Sequence, residues 1–84
     1  MNEDFFEQFN NPLMQAFEFT YKGVRYSVYG WWGIAVLDES ENESDIDDGS
    51  LVTKEDVLNA RLFDDNTKTL KEIIPEMIDL NFVL

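Results

Sequence analysis

Phe17-Glu18-Phe19-Thr20-Tyr21-Lys22-Gly23-Val24-Arg25-Tyr26-Ser27-Val28 decides the fold. Its apolar residues fall at every second position, 17, 19, 21 and then 24, 26, 28, which is the period of a strand with one buried face. With Lys22-Gly23 as a tight hairpin loop, Tyr21 faces Val24, Phe19 faces Tyr26 and Phe17 faces Val28. Every apolar side chain then meets an apolar partner. The other face pairs Thr20 with Arg25 and Glu18 with Ser27, and sets Glu18 diagonal to Arg25. A slip of one residue would turn the apolar set to solvent, so the register is strongly specified. The type I′ turn that suits this loop holds Lys22 at positive φ, a cost of about 1–2 kcal/mol that a slightly longer loop would relieve.

On the N-terminal side, residues 2–11 read as a short helix. Asn2 is its N-cap, Glu3 and Asp4 sit where the helix dipole favours acids, and Phe5, Phe6 and Phe9 share a face. Pro12 would clash with the carbonyl of Gln8 and ends the helix near Asn10. On the C-terminal side, Gly30 breaks the alternation and Trp31 to Leu37 makes a third antiparallel strand. Trp32, Ile34 and Val36 share one face, with Trp31, Ala35 and Leu37 on the other. Thr53 caps a helix to about Leu62, with Asp56 at N3 and Val52 and Val57 as a staple. Thr69-Leu70-Lys71-Glu72 opens a further helix over about 70–74, cut short by Pro75. The tail, Leu80 to Leu84, suits a terminal strand or a packed extension. The expected class is α+β: an N-terminal helix, a three-stranded antiparallel meander that the tail can extend to a fourth strand, and two short helices packed on one face.

A chain of 84 residues makes one domain, 1–84, and its 44% hydrophobic and 14% aromatic content is too high for disorder. Seven of the eighteen acids lie between Asp38 and Asp48 with no base among them, leaving eleven acids against six bases elsewhere. So more than half of the net charge of −12 sits on that stretch, read as a mobile acidic loop over 38–50. Such a balance repels nucleic acid and anionic lipid. There is no Cys and no His, which excludes disulfides, zinc sites of thiolate or imidazole, and Cys–His or Ser–His–Asp nucleophilic centres. Met1 to Phe9 carries acids where a signal peptide carries bases, and no apolar run approaches a membrane span. The expectation is a cytoplasmic protein, not an enzyme, with no cofactor and no direct contact with nucleic acid or membrane.

Within the acidic stretch Glu39, Glu41, Glu43, Asp45 and Asp47 fall at every second position. In extended chain residues two apart lie about 6.6 Å apart on one side, so this row would span about 26 Å. It could imitate a phosphate backbone for a groove lined with Lys and Arg. A solvated loop without a partner is the plain alternative, because neighbouring charges at that spacing repel by only about 0.6 kcal/mol in water. Asp45-Ile46-Asp47-Asp48-Gly49 with Glu55 has a partial likeness to a calcium loop, but that alignment puts Ser44 and Ile46 at ligand positions, and Ile46 cannot ligate. Acid pairs of the kind glycosidases use are unavoidable in so acidic a chain and say little. Of Trp31-Trp32, one indole faces the core and the other stands near Tyr29 on the outer face as an apolar anchor, unless the domain's own helices cover both.

The hairpin from Phe17 to Tyr26, with Asp56-Val57-Leu58-Asn59-Ala60-Arg61-Leu62-Phe63-Asp64-Asp65 and Thr69-Leu70-Lys71-Glu72-Ile73-Ile74-Pro75-Glu76-Met77, resembles small uncharacterised acidic proteins of Gram-positive bacteria and their phages and mobile elements. About two-thirds of the chain is covered. Asp65-Asn66 stands where that pattern has a single Gly, and Ile74 where it has Trp. The resemblance implies an α+β fold and a bacterial or phage origin, and carries no activity. Glu39-Ser40-Glu41-Asn42-Glu43-Ser44 is also similar to a stretch in an acidic phage anti-CRISPR protein. The functional expectation is a small interaction protein that binds a basic surface, that of a nucleic-acid-handling protein, and blocks or modulates it, as an anti-CRISPR or anti-restriction DNA mimic does. Its agents would be Glu39, Glu41, Glu43, Asp45, Asp47 and Asp48, with Trp31 and Tyr29 as anchors. The alternative is an accessory or immunity-type domain that meets a protein partner through its aromatic sheet face.

Overall fold

The hairpin forms in the expected register. Strands β1 (Ala16–Tyr21) and β2 (Val24–Tyr29) pair Phe17 with Val28, Phe19 with Tyr26 and Tyr21 with Val24, with Lys22 at φ 49° and Gly23 at φ 78° in the turn. β3 (Gly33–Leu37) pairs antiparallel with β2. A computed structural model describes residues 4–30 and 32–84; the roles expected for Asn2, Glu3 and Trp31 fall outside the described residues. The sheet has five strands in the order β4-β3-β2-β1-β5, where β4 is Glu43–Asp45 and β5 is Ile78–Val83. The tail therefore does pair, against β1, and the acidic stretch contributes an edge strand beyond β3. Trp32 is not part of β3. Its φ is 63° and its N–H donates to the Tyr29 carbonyl, closing the turn between β2 and β3.

One face of the sheet carries Phe17, Phe19, Tyr21, Val28 and Ile34. Against it pack α1 (Phe5–Phe9), α2 (Lys54–Leu58), α3 (Leu70–Ile73) and the 3₁₀ turn Ile74–Glu76. Phe5, Phe9, Val57, Phe63, Leu70 and Ile73 are buried there. α1 ends at Asn10, as Pro12 requires. Both capping boxes are formed, Thr53 with Asp56 and Thr69 with Glu72. α2 stops at Leu58, short of the expected Leu62, because the chain turns at Asn59 and Leu70 N–H bonds back to the Ala60 carbonyl. The staple does not form: Val52 is 73% exposed while Val57 is buried.

The outer face is held by Arg25. Its guanidinium donates to Thr20 Oγ1 and to the Asp79 carbonyl at 2.7 Å, and lies 3.6 Å from Glu18. That contact stitches β2 across β1 to β5 at a bulge where Asp79 has φ 52°. At the far end of the hairpin, Tyr21 Oη and Lys22 Nζ both donate to Asp64 Oδ2, at 2.9 and 3.1 Å. Asp64, Asp65 and Asn66 all have positive φ in the tight loop closed by the Phe63–Lys68 bridge.

Three carboxyls in this frame lie below their usual range. N–H groups of Val52 and Thr53 hold Asp56 down, the Thr69 N–H and hydroxyl hold Glu72 down, and hydrogen bonds from Lys22 and Tyr21 hold Asp64 down. A depressed carboxyl stabilises the fold above its unfolded pKa, about 4, and that contribution is lost as pH falls through the lower folded value. The chain's excess negative charge acts in the opposite sense, since protonation relieves repulsion. The test is therefore a difference. Glu72→Gln should be less stable than the parent in urea at neutral pH, and the two curves should converge below about pH 3.

Candidate functional site

The acidic stretch is a folded hairpin arm. At its tip the Asp38 carboxylate accepts the N–H groups of Ser40 and Asn42, at 2.8 and 2.9 Å, and Glu41 N–H bonds to the Asp38 carbonyl. Hydrogen bonds, that from Asn42 N–H first, place the Asp38 carboxyl below its usual range. Glu41 has φ 61°, so the chain reverses there. Glu39 and Glu41 therefore ride the tip of a turn, and the five acids do not form one straight row.

β4 follows. Glu43 pairs with Leu37, Ser44 with Val36 and Asp45 with Ala35. Leu37 and Ala35 lie across from Arg25 and Ser27 on the outer face, so Glu43 and Asp45 project there, and Ser44 projects to the helical face. Both acids are exposed. The strand is then capped by its own side chain. Ile46 N–H bonds to the Ile34 carbonyl, while the Ile34 N–H donates to Asp47 Oδ1 at 2.9 Å and Gly49 N–H donates to Asp47 Oδ2. Asp48 accepts from the Ser50 hydroxyl and N–H, and these hold its carboxyl below the usual range.

The predicted site residues thus separate. Glu39, Glu41, Glu43 and Asp45 are exposed. Asp47, half-buried, gives its oxygens to the N–H groups of Ile34 on β3 and of Gly49, while Asp48 is exposed too and turns one oxygen to the Ser50 N–H and hydroxyl. Tyr29 is not an exposed anchor, being only 7% exposed. Its cross-strand partners are Ala16 on β1 and Gly33 on β3. The hydroxyl reaches the Glu43 carboxylate on β4, and burial, then that carboxylate, then Asp45 and Asp47 hold the phenol well above its ordinary pKa. Trp31 lies outside the described residues.

No base neutralises the arm among the described residues. The ion pairs join Lys22 to Asp64, Arg25 to Glu18 and Arg61 to Glu72, and Lys54 reaches Asn10 and the Phe9 ring. No group of three or more acids among the described residues is arranged to hold a metal ion. No helix among them is long and apolar enough to cross a membrane.

A groove of about 250 Å³ opens beside the end of β4. Ile46, Leu51, Ala60 and Leu62 line it, and Asp48 and Arg61 also border it. Charge patterning alone does not reveal it. The available signal was Ile46, the one apolar residue between acids at 45 and 47, which alternation turns to the helical face while Asp45 turns outward. Comparison of the chain with protein-family models, with curated proteins and with solved structures finds no match in any of the three.

Proposed function

We propose that this chain is an interaction protein that docks its acidic arm on a basic surface of another protein, one that handles nucleic acid, and blocks or modulates that surface. The observation that supports this is the charge left over after the fold is satisfied. Glu39, Glu41, Glu43 and Asp45 stand exposed on an ordered hairpin arm, and no Lys or Arg of the described residues pairs with them. Charges fixed on a strand and a tight turn are already ordered, so less conformational entropy is lost on binding than from a floppy tether. A Lys/Arg-lined groove built for phosphates is the surface such an arm suits.

Binding by this mechanism is salt-sensitive. A pull-down from host lysate at low and high salt should recover a cationic protein at low salt only. Replacing Glu39, Glu41 and Glu43 by Gln and Asp45 by Asn should weaken that binding by about a hundredfold, mainly through slower association. Unchanged affinity in the neutralised variant would remove the proposal. With Tyr29 buried, the reading through an aromatic outer face depends on Trp31, and a Trp31→Ala variant that alone abolishes capture would establish it instead.

A further inference from the structure

β4 is the outermost strand on its side of the sheet, and the phase of its ladder can be read from two hydrogen bonds. Asp38 N–H bonds to the Asn42 carbonyl and Ile46 N–H to the Ile34 carbonyl. Residues 42, 44 and 46 therefore direct their main-chain groups inward to β3, and Glu43 and Asp45 direct theirs to the open side. That edge offers two N–H and two C=O groups, each residue also bearing a carboxylate on the outer face. Glu41 in its left-handed conformation bounds the edge at one end, and the Asp47 cap bounds it at the other. Just past the strand, on the helical face, lies the groove of Ile46, Leu51, Ala60 and Leu62.

We infer that the cationic partner is captured as an extended segment that adds to the sheet as a sixth strand along β4. This inference rests on the function proposed above and specifies how contact is made. Side chains directly opposite one another across a ladder lie on the same face. The two partner residues opposite Glu43 and Asp45 are therefore the cationic ones, Lys or Arg spaced two apart. The next residue, opposite Ile46, points to the helical face and is aliphatic, filling the groove. Charge supplies attraction, the main chain supplies register, and the groove supplies the apolar contact that a purely electrostatic complex lacks. An acidic or neutral strand is disfavoured, since it would bring no countercharge to an edge already carrying two carboxylates.

The probe is a pair of synthetic peptides in Gly-Ser flanks, Ile-Lys-Thr-Lys-Ile and the reordered Lys-Lys-Thr-Ile-Ile, titrated into the isotopically labelled protein at low salt. The alternating peptide fits the edge in either strand direction. It should bind about tenfold more tightly than the reordered one. It should also slow hydrogen exchange of the Glu43 and Asp45 amides and shift the resonances of 46, 51 and 62. Asp45→Asn should weaken it through charge alone. Asp45→Pro should weaken it about tenfold further, because it also removes an outward-facing N–H, at a position where proline leaves the β3 ladder intact. If the proline variant does not fold, the peptide comparison on the parent protein decides. Equal affinity of the two peptides with no protection at 43 and 45 overturns strand addition and leaves the basic-surface function standing. Failure of both peptides to bind at low salt overturns both.

Discussion

Phe17→Ala is expected to remove most of the protein's stability. Phe17 is fully buried, and its ring lies 5.2 Å from that of Phe5, 5.9 Å from Phe9, 6.0 Å from Phe19 and 5.3 Å from Phe82. It is the point where α1, β1 and β5 meet. Truncating a buried Phe to Ala costs about 3–5 kcal/mol, through lost burial and the cavity left behind. A chain of this size holds only about 4–13 kcal/mol in all. Urea titration followed by tryptophan fluorescence should show a much lower midpoint, or a chain already unfolded in water. Phe17→Leu keeps most of the volume and should cost less than about 1.5 kcal/mol. If alanine at 17 proved as mild as leucine, the aromatic cluster would not be the keystone of the core.

Gly30→Ala is the second large effect. A methyl added there would sit 2.7 Å from the Gln15 carbonyl oxygen and 3.3 Å from its carbonyl carbon. Both are main-chain atoms, and neither can swing aside. The Gly30 N–H donates to that same oxygen, and Gln15 N–H donates in turn to the Val83 carbonyl. One methyl therefore disturbs the end of β2, the residue before β1 and the end of β5 together. The expected loss is about 2–3 kcal/mol in the same titration. Gly23 is the useful comparison. Nothing lies within 4 Å of a methyl there, but its φ is 78°. Gly23→Ala should therefore cost about 1–2 kcal/mol, through left-handed strain alone. A Gly30→Ala protein more stable than Gly23→Ala would mean that β1 and β2 can part at that end more freely than their hydrogen bonds suggest.

Local patterns carried the parts of the fold that could be read beforehand. The β1–β2 register follows from alternation around Lys22-Gly23, and both capping boxes from Thr-x-x-acid spacing. β4 was hidden for a physical reason. Glu, Ser and Asp are poor strand formers, and they pair here because β3, apolar on both faces, has an edge to cover. Tyr29 was misplaced because alternation tells which face a residue turns to and not how far that face is covered. The candidate acidic site was half legible. Alternation correctly set Glu43 and Asp45 on one side, but the turn at Glu41 breaks the row, and Asp47 and Asp48 go to the main chain. Side chains that can satisfy nearby N–H groups do so before they serve a partner.

The sheet order also fixes a schedule for synthesis. β1 lies between β2 and β5, yet residues 16–21 leave the ribosome long before 78–83. Until then a growing chain can close the β1–β2–β3 meander but leaves one flank of β1 unsatisfied, with Phe17 lacking its Phe82 neighbour. Late pairing between distant segments slows closure and lengthens the time an aggregation-prone flank is bare. That flank of β1 stays open until β5 emerges, and the density of like charge on each chain works against association meanwhile.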